Sequence, residues 1–437
     1  MRKRTLPFCC AQALLLCYVQ ISEKRILLLF CLGLFLLQTA YACIRGYALP
    51  VLLFYLPWAP LLRFSPDSIS FYTLALLLAC CIQTGKNKLS LKSDYVAIAL
   101  AIAVLSLLAK IIGGYRLTNS YWMFLAMLAL FPMLDFENRA YSFFWLTVFF
   151  SLGIILAALT AERFSDYPNI AKYITVDVYL SITRRSGYYG DPNFYAAHIT
   201  AAIAGCFALI SNGQTRRRTL ALLIATGFLV YCGFLSGSKS FFLTGSLLLL
   251  LWVIEICLGK KKIAQKTALL LILLAFLFYI ASSALFHDKL DVMLARLSKA
   301  NTASEFTTGR TDLWKRYLAG IFNSPRLLLL GQGFTNILIA PKASHNTLIQ
   351  LLYQLGIFGG LLLAAWHWRL CREIVGDPRP SGTKAVCIAM LAFGALLPWM
   401  AVDILFFDEL FLIPTYVLIG MDELCSDNKL CEEGLDK

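Results

Sequence analysis

Apolar stretches long enough to cross a bilayer follow one another along most of this chain, and a backbone in hydrocarbon has few choices. With no water to satisfy its N–H and C=O groups, each such stretch must be a helix or belong to a closed barrel. Runs of about 17 to 25 apolar residues are helix lengths, well beyond barrel strands. We read spans near 26–44, 68–84, 94–112, 119–134, 141–160 and 195–211, then near 219–236, 240–258, 267–286, 345–366, 385–402 and 405–423. The expected fold is all-α, a polytopic membrane protein of about twelve transmembrane helices. Charged residues make up 15% of the chain against about 25% in soluble domains.

Two apolar stretches fit less well. Residues 5–22 lie between Arg2-Lys3-Arg4 and Lys24-Arg25, so both flanks favour the cytoplasm and the segment reads as interfacial. It does not read as a cleavable signal peptide, since no small-residue cleavage site precedes the next span. Residues 47–63 contain Pro50, Pro57 and Pro60 and read as a re-entrant or surface hairpin.

Short loops carry Lys86, Lys88 and Lys92, then Arg216, Arg217 and Arg218, then Lys260, Lys261, Lys262 and Lys266, and finally Arg369, Arg372, Arg379 and Lys384. The positive-inside bias places all four clusters, with both termini, in the cytoplasm. The chain then divides into a cytoplasmic or interfacial segment 1–25, helices over 26–286 with an outer loop near 161–194, a large outer loop 287–344, helices over 345–423, and a tail 424–437. A channel or carrier has little need for a loop of that size. An enzyme working on lipid-linked substrates does need one, because polar chemistry belongs where the hydrocarbon ends.

The net charge of +14 has two sources. The short basic loops are topology signals and contacts to anionic lipid, and their separation argues against nucleic acid. The outer segments are basic too, with Arg184, Arg185, Lys239, Arg296, Arg310, Lys315 and Arg316, and topology disfavours cations there. An anionic partner explains them. Nearly all of the 14 cysteines lie in or beside apolar runs, which argues against a disulfide framework, and no CxxC pair suggests a zinc or redox motif.

Four segments carry candidate chemistry. The first runs from Arg184-Arg185 through Gly187, Gly190, Asp191 and Pro192 to Asn193, a tight turn before a helix beginning near Phe194. Asn193 is a candidate cap, and arginines beside a helix N-terminus suit a diphosphate; a structural turn with a basic flank is the other reading. The second, Ser236 to Ser240, puts Lys239 at the ends of two spans, as topological punctuation or as a phosphate contact. In the third, Arg310 precedes an amphipathic surface helix through Leu313, Trp314, Tyr317, Leu318 and Ile321, ended by Asn323-Ser324-Pro325. Leu290, Met293, Leu294 and Leu297 suggest another short helix upstream. The fourth is Ser344-His345-Asn346 at the mouth of a span. A histidine there is a cap, an interfacial residue or a base. His198 and His367 read as structural, whereas Asp403, Asp408 and Glu409 sit near the last reversal, where they would orient a basic residue or a sugar hydroxyl. No carboxylate–histidine cluster argues for a metal.

In this order the segments resemble the O-antigen ligase and O-antigen polymerase superfamily. The resemblance rests on Arg184 with Ser186-Gly187 and Gly190-Asp191-Pro192-Asn193, on Ser238-Lys239-Ser240, on Gly309-Arg310-Thr311-Asp312-Leu313-Trp314, on Gly331 and Gly333, on His345-Asn346, and on the continuation from Leu348 to Gly356 and Gly359. It covers about residues 180–365 closely. It implies a bacterial inner-membrane, GT-C-like glycosyltransferase that is inverting, independent of metal and without a cofactor. Its donor would be a glycan on undecaprenyl diphosphate, its acceptor a glycan or glycolipid hydroxyl, and its partners a polysaccharide assembly machinery. By motif match, Arg184 and Arg310 hold the diphosphate, His345 acts at the acceptor hydroxyl, and Arg185, Lys239, Asn193 and Asn346 assist binding. The competing class is a flippase for lipid-linked oligosaccharides. A carrier should show repeated halves and charges near the midplane; the sequence has no internal repeat.

Overall fold

The structure, a computed structural model, describes residues 2–426 except 23, 66–67, 87–89, 114–118, 137–138, 175, 180–181, 260–262, 284–285, 288–289, 292–293, 295–297, 299–301, 303, 305–306, 308, 334–336, 377–381 and 404–407. Lys88, Lys260, Lys261, Lys262, Arg379, Met293, Arg296 and Leu297 therefore lie outside the described residues.

The first half of the chain comprises α1 (Arg2–Ser22), α2 (Arg25–Ile44), α3 (Ala48–Tyr55), α4 (Phe71–Lys86), α5 (Ser93–Gly113), α6 (Asn119–Leu130), α7 (Phe143–Arg163) and the single turn α8 (Pro168–Ala171). A hairpin of β1 (Val176–Tyr179) and β2 (Ile182–Arg185) follows. Then come α9 (Pro192–Ser211), α10 (Arg216–Ser236), α11 (Lys239–Leu258) and α12 (Ile263–Ser282). The surface helices α13 (Arg310–Phe322) and α14 (Pro325–Leu330) precede α15 (Thr347–Val375), α16 (Thr383–Leu396) and α17 (Glu409–Cys425). Each of the twelve expected spans falls on one of these helices. Among the described residues, ten helices are long and apolar enough to cross a membrane. The β-hairpin is an addition to the all-α expectation.

The first of those ten is α1, where the sequence suggested an interfacial segment. Its face of Cys9, Ala13, Leu16 and Cys17 is fully buried. Its amides bond within the bundle: Gln12 Nε2 donates to Cys31 O and Gln20 Nε2 to Leu61 O, at 3.4 and 2.8 Å. The stretch 47–63 departs from its surface reading too. Every residue of α3 is buried, and Tyr55 Oη bonds Cys9 O and the amide oxygens of Gln12 and Gln38. Buried side-chain amides that find one another in this way glue apolar helices together.

These two elements change the path of the chain. Cys17 Sγ lies 3.2 Å from Tyr188 Oη, at the end of the bundle that holds the turn before α9. Ile44, at the far end of α2, accepts from Lys86 Nζ at 2.9 Å. So α2 runs opposite to the direction that twelve spans would give it, and α3 brings the chain back. Only α1 of these two is long enough to span, whereas α3 is a short buried leg that fits the re-entrant reading of 47–63, and the order of everything downstream is unchanged. Lys86, Lys92, Arg139, Arg369 and Lys384 share the other end, where Arg139 pairs with Asp422 at 2.6 Å and Lys92 with Glu373.

The core centres on α9, buried along almost its whole length and packed by α7, α10, α11 and α16. Its alanines and Gly205 admit close neighbours. A Cβ on Gly205 would overlap Tyr416 Oη, and one on Gly394 of α16 would lie 2.5 Å from Ala204 Cβ. Small residues at such crossings drive association where lipid supplies no hydrophobic force.

A second glycine crossing ties the large loop to the bundle. Gly331 (φ 75°) and Gly356 (φ 63°) meet where α15 kinks, and Gln332 N and Gly333 N donate to Tyr353 O and Gln354 O at 2.7 and 3.0 Å. A Cβ on Gly331 would stand 2.5 Å from Gln354 O, and one on Gly356 2.5 Å from Gly331 N. Both also hold a backbone conformation that L side chains avoid. Gly356→Ala should therefore lower stability by at least about 1–3 kcal/mol, read as a fall in melting temperature of the detergent-solubilised protein. An unchanged melting temperature would remove this crossing from the account.

Candidate functional site

At the end of the bundle away from Lys86, residues from five parts of the chain line an open cavity of about 820 Å³. Arg184, Asn193, Lys239, Arg310 and His345 all line it. Arg185 and Asn346 are not in its wall.

The turn before α9 explains the first group. Asp191, not Asn193, caps this helix: Oδ1 accepts from Asn193 N at 2.6 Å and from Asn193 Nδ2 at 2.9 Å, with Pro192 at the first helical position. The helix accordingly starts two residues before Phe194. Asn193 is thereby freed to act as a clamp. Its Oδ1 accepts from Ser238 Oγ at 2.8 Å and from Arg184 Nη2 at 3.4 Å, while Arg184 Nε reaches Ser236 O at 3.3 Å. Arg184 and Arg185 are neighbours on β2, so they leave the strand on opposite faces. Arg185 turns to Glu162, at 2.5 Å, which accounts for its absence from the cavity.

Ser238 precedes α11, whose first residue is Lys239. Gly237, left-handed at φ 54°, makes the two-residue reversal from α10 and has Arg184 packed against it. Gly309, at φ 81°, starts α13 with Arg310 in its first position. Burial pulls the Arg310 guanidinium below its ordinary range, with Arg184 adding repulsion and Asp191 and Asp403 opposing it. A guanidinium stays charged through such a shift. A half-buried cation beside another cation favours negative charge nearby.

His345 is held unusually. It is the one non-glycine residue with positive φ, 49°, among the described residues, a conformation histidine tolerates better than most. Asp403 imposes it. Oδ1 accepts from Ser344 Oγ at 2.9 Å and from Asn346 N at 3.0 Å; Oδ2 accepts from His345 N at 3.0 Å and faces His345 Nδ1 at 3.5 Å. Asn346 caps α15, its Oδ1 accepting from Leu348 N and Ile349 N. Its side chain thus serves the helix rather than a ligand. From above, Trp314 Nε1 donates to Ser344 O and Tyr317 Oη to Lys342 O, each at 3.0 Å. The surface helix is stapled over the histidine segment.

Four helices, α9, α11, α13 and α15, therefore begin at this cavity. Their free N–H groups and dipoles add positive potential to that of the cations. Asp403 is the residue whose role the sequence left open. Nothing local marks it, because its partners lie 57 to 59 positions away in the chain. His198, read as structural, is buried and faces Glu409, its Nε2 3.4 Å from Oε1. His367 bonds Leu363 O and Leu410 O.

No protein-family model matches the chain, and a search of curated proteins finds no significant match.

Asp403→Ala removes three hydrogen bonds to one carboxylate. Bonds to charged groups are worth about 1.5–3 kcal/mol each, so the variant should unfold at lower temperature, and backbone amide exchange at 344–346 should speed up. Unaltered exchange there would show that Asp403 does not hold the histidine segment.

Proposed function

We propose that this protein is a membrane glycosyltransferase of the O-antigen ligase and polymerase type, moving a glycan from undecaprenyl diphosphate to a hydroxyl of an acceptor sugar. The observation that carries the reading is the convergence of Arg184, Lys239, Arg310 and His345 on one cavity at four helix N-termini.

In this mechanism Arg184 and Arg310 bind the diphosphate with charge-assisted hydrogen bonds. His345 Nε2 accepts the proton of the acceptor hydroxyl. Asp403, facing Nδ1, favours the tautomer that keeps the proton there and leaves the Nε2 lone pair open. The acceptor oxygen forms its bond to the anomeric carbon from the face opposite the leaving group, so the configuration inverts. The bond from that carbon to the diphosphate oxygen breaks, and its electron pair stays on the diphosphate. Charge grows there as it leaves, where the two arginines and the helix ends stabilise it most. Leu243, Leu397, Met400 and Ala401 give the same cavity an apolar wall for the carrier's first isoprene units.

The sidedness belongs to the same proposal: an inner-membrane protein with both termini cytoplasmic and the cavity facing outward. Its support is the basic set Lys86, Lys92, Arg139, Arg369 and Lys384 at the end opposite the cavity.

Arg184→Ala and Arg310→Ala should each reduce donor use roughly ten- to hundredfold, the equivalent of about 1.5–3 kcal/mol. His345→Ala should slow transfer by about 10² to 10⁴. The assay is glycan transfer by purified protein in vesicles with lipid-linked donor, and near-normal turnover in these variants would end the proposal. In cells, loss of a polymerase leaves single repeat units on the surface, whereas loss of a ligase strands long chains on the carrier.

A transporter of lipid-linked oligosaccharide is the second reading, and the buried His198–Glu409 pair is the observation on its side. Sealed vesicles separate the two: a transporter moves labelled donor across the membrane and forms no new glycosidic bond.

A further inference from the structure

We propose that the glycan this cavity accommodates is acidic, bearing a carboxylate or phosphate on a sugar, and that Arg316 and Lys342 recognise that charge. This deepens the glycosyltransferase reading and rests on it. The argument is one of charge and place.

Among the described residues the cavity wall carries five cationic side chains, Arg184, Lys239, Arg310, Arg316 and Lys342, and two carboxylates, Asp191 and Asp312. They fall into two groups. Arg184, Lys239 and Arg310 lie at the inner, helix-end part of the cavity, where Asp191 and Asp403 are acidic neighbours of Arg310. A diphosphate esterified at both ends keeps one negative charge on each phosphorus. Together with these two carboxylates it more than offsets the three inner cations, so the inner site draws on neither cation of the rim.

The rim is different. Arg316 lies six residues beyond Arg310 on α13, roughly 9 Å along the helix axis, farther than a diphosphate spans. Lys342 is set close to that helix, since its carbonyl accepts from Tyr317 Oη at 3.0 Å. Both side chains are exposed. Their counter-charge in the wall is Asp312, whose Oδ2 also accepts from Ser304 Oγ at 2.5 Å. Among the described residues the rim thus carries two cations to one carboxylate.

The direction of the donor decides what meets it. Its lipid end belongs with Leu243, Leu397, Met400 and Ala401, and its diphosphate with Arg184 and Arg310. The sugars then emerge past Asp312, Trp314, Arg316 and Lys342. A rim with a net positive charge also raises the local concentration of an anionic ligand before it docks. Exposed cations give modest, salt-sensitive affinity, which fits a product that must leave.

The test uses full-length protein in nanodiscs of zwitterionic lipid and measures dissociation constants at low salt. Three probes are titrated: a short oligosaccharide bearing uronate groups, its carboxyl-reduced neutral counterpart, and undecaprenyl diphosphate without sugar. Wild type should bind the acidic oligosaccharide about tenfold more tightly than the neutral one. In R316Q/K342Q that preference should fall to near unity, while the sugar-free carrier binds as in wild type. Because both side chains are exposed, the melting temperature should not move. No preference in wild type, or a preference that survives in R316Q/K342Q, overturns the proposal. So does weaker binding of the sugar-free carrier to R316Q/K342Q, which would make the rim a reader of phosphate or lipid headgroups. If instead Arg184→Ala left carrier binding untouched, the glycosyltransferase reading itself would fall.

Discussion

The rest of the structure depends on a concentration of positive charge at one end of an apolar bundle. Arg184 and Arg310 are brought together with Lys239 at the start of α11, and four helices begin beside the same space. Such an arrangement is unfavourable without an anion, since like charges repel more strongly as water is excluded. The protein sustains it with rigid local devices: the Asp191 cap, the Asn193 clamp, the glycine reversal at Gly237 and the Asp403 brace. Each of these fixes backbone or side-chain geometry close to a cation or to His345.

The helices were legible in the sequence because bilayer thickness and hydropathy set their length: each expected span falls on a helix, and nine of the twelve are among the ten long and apolar enough to cross. The elements that escaped did so for identifiable reasons. Basic residues flank α1 on both sides, so a charge rule keeps it on the surface; its Gln12 and Gln20 find partners only in the folded bundle. Three prolines disguise the stretch around α3, although Pro50 sits in the first turn of that helix, where a missing N–H costs little. The hairpin of β1 and β2 is too short to announce itself.

The candidate site was legible to the extent that its chemistry is local. Arg184, Lys239, Arg310 and His345 stand beside turn and helix-start signals, and those signals place them at one end of the bundle. What the sequence could not distribute was duty among neighbours. Asp191 and Asn193 are both good caps, and the structure gives the cap to one and the clamp to the other. Arg184 and Arg185 look equivalent in a string; the alternation of a strand sends one to the cavity and one to Glu162. Asp403 acts across more than fifty residues, a relation that only the fold creates.

The path of the first two helices has a consequence for how the protein is made. The hairpin of α1 and α2 carries Arg2, Lys3 and Arg4 at its open end and Lys24 and Arg25 at its tip, and these ends lie on opposite sides of the bundle. One basic cluster must therefore be translocated through hydrocarbon during biogenesis, whichever way the cavity faces. Each cation costs about 2.5–3.5 kcal/mol at the bilayer centre, and single-file entry of α1 would also expose Gln12 and Gln20 to lipid. Entry of α1 and α2 as a pair lessens that burden, because Gln12 then already has Cys31 as its partner.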